Sequence, residues 1–169
     1  MISKEMQKAL NEQINKELYS AYYYLSMAAY LDNKNLDGMA NFFKVQAQEE
    51  MTHVQKFYDY VNEQGGRVLL EAVAKPPTDF KDVEAVFAAA LEHEQFVTKN
   101  INMLVDLAIK ESDHATKNFL DWFVAEQVEE EASMDSILQK VRMVGGQPQA
   151  LLMLDSLLAG RRAEAASQE

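Results

Sequence analysis

What most constrains this chain is where its helix breakers stand. Its 169 residues hold only six glycines and three prolines, and these are clustered. Asn33 to Asp37 is a short polar break, and Gly65-Gly66 opens a stretch with Pro76-Pro77 that ends near Phe80. Gly145-Gly146 with Pro148 forms a third break and Gly160 a fourth. Between them lie segments rich in Glu, Gln, Lys, Leu, Met and Ala, residues that lose little on entering a helix. This pattern predicts helices over 4–32, 36–64, 82–110, 113–143 and 148–159, the last with Pro148 suited to its first turn and Gly160 to its end. Four of them approach 30 residues, about 43 Å each at 1.5 Å per residue. Helices of that length suit a four-helix bundle. The first break is short enough to force an antiparallel pair. The 65–81 connection can extend to about 56 Å, so it can run the length of the bundle and set the second and third helices parallel. The expectation is an all-α bundle over 1–145 with one long crossover, a short C-terminal helix over 146–160 and a polar tail over 161–169.

Each long segment carries a seam at steps of three and four, the spacing of core-facing helical positions. The seams read Leu10, Ile14, Glu17, Ala21, Tyr24, Ala28, Leu31; then Ala40, Phe43, Ala47, Glu50, Val54, Phe57, Val61. The third reads Val83, Phe87, Ala90, Glu94, Val97, Ile101, Leu104, Ala108, and the fourth Thr116, Leu120, Phe123, Gln127, Glu130, Met134, Ile137, Val141. One such Glu would be ordinary at a core edge. Four of them, each near its helix midpoint, meet at one height in a bundle of equal-length helices. Unpaired carboxylates in a core repel and lose solvation, and no Lys or Arg stands in any seam. A cation from outside has to balance them, and two divalent ions match four carboxylates in charge.

His53 follows Glu50 by three residues, so both project from one helical face, and Gln127 and Glu130 repeat the spacing. Facing carboxylates with Glu-x-x-His motifs are the recognised ligand pattern of di-metal bundles. Oxygen ligands with one imidazole suit iron, with manganese or zinc as competitors. The chain has no cysteine, which removes disulfides, thiolate zinc sites and cysteine-ligated iron–sulfur clusters. A formal charge of −11 argues against nucleic acid or an anionic membrane as partner. With neither a signal-peptide pattern nor a long uncharged apolar run, a cytoplasmic protein is expected.

The residues Asn11-Glu12-Gln13 with Glu17-Leu18-Tyr19-Ser20, Ala47-Gln48-Glu49-Glu50-Met51-Thr52-His53, His93-Glu94-Gln95 and Glu126-Gln127-Val128-Glu129-Glu130-Glu131 resemble the bacterial non-haem ferritins, with matched spacing over about 1–145. The resemblance implies a ferritin-like bundle that binds and oxidises Fe(II) with O₂ or hydrogen peroxide and stores ferric oxide in a hollow homo-oligomer of 24 subunits. It implies that Glu17, Glu50 and His53 hold one iron, that Glu94 and Glu130 hold a second with Glu50 bridging, and that Gln127 stands beside it. A third iron site is implied at Glu49, Glu126 and Glu129, and Tyr24 is implied as a tyrosine beside the centre able to donate an electron. Trp122, on the face of Glu126 and Glu129, reads either as packing or as a second donor.

Bacterioferritins are the nearest rival, and Met51 occupies the place of their haem-ligating methionine. They carry a second Glu-x-x-His where this chain has Gln127 and Glu130, so no haem is expected. A passive iron-binding shell and a monomeric di-iron oxygenase remain open at this point. The short helix over 149–159 holds five leucines and Met153, apolar surface that a completed bundle has no use for and that calls for another subunit.

Overall fold

Four of the five helix starts among the described residues are met by side chains that take up free amide groups. In the computed structural model, which describes residues 1–161, the helices are α1 (Lys4–Asp32), α2 (Asp37–Glu63), α3 (Val83–Lys110), α4 (His114–Val144) and α5 (Pro148–Leu158). Every boundary lies within one residue of the sequence expectation, and no strand occurs among the described residues. Ser3, Asp82 and Asp113 accept from the amides of Met6, Ala85 and Thr116, capping α1, α3 and α4. The start of α2 has no cap of its own; the Met39 amide donates to Asp155 Oδ1 of α5 at 2.8 Å. The expected polar tail over 161–169 lies outside the described residues except for Arg161.

α1 packs on α2 and α3 on α4 as antiparallel hairpins, which join through α1 against α3, while α5 rests on α2 and α4. The crossover is strapped along α1. Asn11 donates to the Arg67 carbonyl at 3.0 Å and accepts from the Leu69 amide at 2.8 Å. Further on, Ser26 donates to the Pro77 carbonyl at 2.6 Å, and the Phe80 ring meets Tyr30 edge-on at 5.3 Å. The connection thus runs the length of the bundle, and α2 and α3 are parallel, as its length allowed.

All seam residues are buried except Val83, which is partly so. The apolar interior forms two separate clusters. One is built on Tyr24, Met27, Phe43, Phe87 and Met134, the other on Leu10, Ile14, Phe57, Leu104 and Phe123. Between them lies the layer of buried polar side chains.

Candidate metal centre

Four helix midpoints supply this layer. Glu17 comes from α1, Glu50 and His53 from α2, Glu94 from α3, and Gln127 and Glu130 from α4; all six are buried. Among the described residues, one group of carboxylate and imidazole donors falls at metal-ligand spacing: atoms of Glu17, Glu50 and His53 lie within 4.8 Å of one another. His53 Nδ1 stands 3.2 Å from Glu50 Oε2 and 3.9 Å from Glu17 Oε2. Gln13, one turn before Glu17, donates to its Oε1 at 2.7 Å and fixes the carboxylate. Among the described residues Glu17 Oε2 is left buried without a hydrogen-bond partner, an arrangement that fits a metal ligand.

Across the layer, Glu94 is gripped from two sides. The Tyr24 hydroxyl donates to Oε1, and Gln127 Nε2 donates to Oε2 at 3.0 Å. Glu130 Oε2 accepts from Gln46 Nε2 at 2.7 Å, a bond that ties α4 to α2. Glu17, Glu94 and Glu130 are therefore each oriented by an amide or phenol that carries no charge, while Glu50 faces His53. These donors fix geometry and leave the charge for something else to balance.

In the metal-free chain that balance is carried by protons. Burial pushes the Glu50 carboxyl well above its usual range, and the charges of Glu94 and Glu17 add to it against the pull of His53. Burial likewise raises Glu94, against the hydrogen bonds from Tyr24 and Gln127. Glu130 is pushed up to about 8 by burial and by the charge of Glu94. Burial alone would lower His53, but the carboxylates of Glu50 and Glu17 outweigh it and hold the imidazolium well above its normal range. Glu17 also feels burial first, which raises it; the proximity and charge of His53 bring it below its ordinary value. Tyr24 is driven well above its normal value by burial and by the charges of Glu94 and Glu50, so it stays a donor.

The outer carboxylates are arranged differently. Glu49, Glu126 and Glu129 do not come together at ligand spacing among the described residues. Glu49 instead pairs with Arg161, whose NH2 donates to its Oε2 at 2.6 Å. Trp122 meets His53 edge-on at 5.5 Å and is 41 % exposed, with the Lys56 ammonium 4.3 Å from its ring. Met51 is exposed on α2.

Sequence reasoning did not assign roles to Gln13, Gln46 and Arg161. The first two carried a usable signal. Each stands one turn before a seam glutamate, Glu17 and Glu50, and an uncharged amide there can reach into the same layer. Arg161 carried none, because its contact depends on how α5 returns to α2.

The bundle with one crossover and a mid-height layer of carboxylates defines the class of ferritin-like four-helix proteins to which iron-storing shells belong. The Ferritin-like domain family model matches residues 7–144, and the chain belongs to that family. A bacterial non-heme ferritin of Campylobacter jejuni is 43 % identical over 158 residues, covering 94 % of this chain and 95 % of that protein. Another from Staphylococcus saprophyticus is 42 % identical, covering 95 % and 96 %. Among solved structures, an open pore ferritin from the hyperthermophilic archaeon Archaeoglobus fulgidus is 52 % identical with a TM-score of 0.95, covering 96 % of this chain and 100 % of its own.

Proposed function

We propose that this ferritin stores and detoxifies iron by oxidising Fe(II) with O₂ or hydrogen peroxide at a centre inside each chain, then depositing ferric oxide in a hollow shell of 24 subunits. The observation that carries this reading is the donor group of Glu17, Glu50 and His53, with an unpartnered Glu17 oxygen, facing Glu94, Gln127 and Glu130. Iron is the substrate here. Glu17, Glu50 and His53 are assigned the first ion, Glu94 and Glu130 the second, and Glu50 the bridge. With O₂ as oxidant, each of two Fe(II) ions gives up one electron and O₂, taking two electrons and two protons, leaves as hydrogen peroxide. Fe(III) then hydrolyses to the oxide.

The chain's own part is placement and proton handling. Gln13 and Gln46 keep Glu17 and Glu130 aimed inward, while Gln127 and Tyr24 hold Glu94. When a divalent ion enters, the protons on Glu50, Glu94, Glu130 and His53 must leave, and the ion's charge takes their place. Tyr24, hydrogen-bonded to Glu94, is assigned as an electron donor where a single Fe(II) meets hydrogen peroxide. The iron and the phenol each give one electron, the phenol gives up its proton too, and with one further proton the peroxide leaves as two waters. A third, weaker ion is assigned to Glu49, Glu126 and Glu129.

Stopped-flow absorbance after adding two Fe(II) per chain in air tests the assignment. The parent should show a fast oxidation phase that Glu50→Ala abolishes, with the fold retained because the substitution also relieves repulsion in the metal-free layer. A Glu50→Ala protein oxidising two irons at the parental rate would refute the placement. A parent no faster than bulk solution would leave a passive shell.

A further inference from the structure

We propose that Arg161 is a built-in cation lodged on the outer carboxylate site beside the metal centre, so that a divalent ion gains Glu49 only when the guanidinium moves away. The inference rests on the proposed function in two respects: that Glu49 adjoins a ligand, Glu50, and that Glu49 takes part in the third, weaker site.

Arg161 is seated on α2 by two contacts of its guanidinium and one of its backbone carbonyl. NH2 donates to Glu49 Oε2 at 2.6 Å, the guanidinium carbon stands 4.2 Å from the Phe42 ring centroid, and the Arg161 carbonyl accepts from Asn41 Nδ2 at 3.1 Å. Phe42 and Glu49 are two turns apart on one helix, so the side chain lies along α2 toward the carboxylate layer. The pair is well covered, with the Arg161 and Glu49 side chains 23 % and 16 % exposed. A cation is therefore already present where a carboxylate site would take one.

Two features make this a removable plug instead of a fixed strut. Arg161 NH1 is buried with no hydrogen-bond partner among the described residues, and an unsatisfied buried donor is costly, so the seat is incomplete. Gly160 just before it has no neighbour among the described residues within 4 Å of where a Cβ would be, apart from its own chain neighbours, and gives Arg161 a pivot beyond α5. A guanidinium cannot shed its proton at accessible pH, so it can yield the site only by moving. An incoming ion of charge two competes with charge one for the same carboxylate.

The test measures Zn(II), which is redox-inert, on the assembled full-length protein by equilibrium dialysis, with sedimentation to confirm the assembly. The parent should bind two ions tightly and a third weakly. Arg161→Ala should bind the third at least tenfold more tightly with the first two unchanged. Arg161→Gln keeps an aliphatic stem over Phe42 and an amide donor but no charge, and should do the same even if Arg161→Ala loosens the tail. Adding Glu49→Gln to either variant should return the third ion to parental weakness. Third-ion affinity within twofold of the parent in both variants overturns the proposal, as does a gain that survives Glu49→Gln. Absence of the two tight ions from the parent would instead refute the proposed centre, so the two failures are distinguishable.

Discussion

A carboxyl that stays protonated in the fold is stabilised there in its neutral form, and this gives the metal-free protein a definite pH response. Glu130 moves from an ordinary value of 4.5 to about 8, and Glu50, Glu94 and His53 shift in the same upward direction. The sign follows from linkage: stability from a raised group is complete below its unfolded value and is lost as pH rises through its folded value. Metal-free protein should therefore show a lower Tm at pH 8 than at pH 5.5 by calorimetry. Glu130→Gln, which cannot ionise, should flatten that slope, and a slope unchanged by the substitution would contradict the account. The same protons should be released when Zn(II) binds at pH 7, giving a calorimetric heat that depends on the buffer's ionisation enthalpy. At this scale much was legible. Glu17, Glu50, Glu94 and Glu130 announced themselves as charges on otherwise apolar seams, and His53 by its spacing from Glu50. The protonation pattern was not, since it depends on burial and on distances such as the 3.2 Å between His53 and Glu50.

Between elements, the most exacting contact is α5 on the start of α2. A Cβ on Gly38 would lie 1.8 Å from the Asp155 carbonyl oxygen and 2.7 Å from its carbon, both backbone atoms that cannot rotate aside. Gly38→Ala should therefore lift α5 and break the Met39–Asp155 bond, at a cost of about 1–3 kcal/mol typical of overpacking. Asp155→Ala, which removes only the cap, should cost about 1 kcal/mol in thermal unfolding. If Gly38→Ala were as stable as the parent, the close approach would be wrong. The length and limits of α1 to α5 were readable from Gly, Pro and capping residues, because those signals are local. The docking of α5 was not: Gly38 looks like any helix-start glycine until the chain returns from more than a hundred residues away, and the same return brings Arg161 to Glu49.

At the scale of the molecule, α5 still shows apolar surface after packing, with Leu152, Met153 and Leu157 exposed. A single chain leaves that face in water, so a further subunit is the natural cover. Deleting residues 146–169 should leave soluble helical protein, since both core clusters are built almost wholly from α1 to α4, but with a weakened or smaller assembly by sedimentation. The intact protein should sediment near a particle of about 460 kDa if 24 chains of 19.2 kDa close a shell. An unchanged shell of unchanged heat resistance after the deletion would show that α5 makes no interface. The central claim, that one chain alone builds a two-ion centre from four helices, is tested most directly by soaking crystals in Fe(II) without oxygen and locating iron by anomalous diffraction. Two peaks per chain are expected, one on Glu17, Glu50 and His53 and one on Glu94, Glu130 and Glu50. Iron absent from this layer, or bound only between subunits, would contradict it.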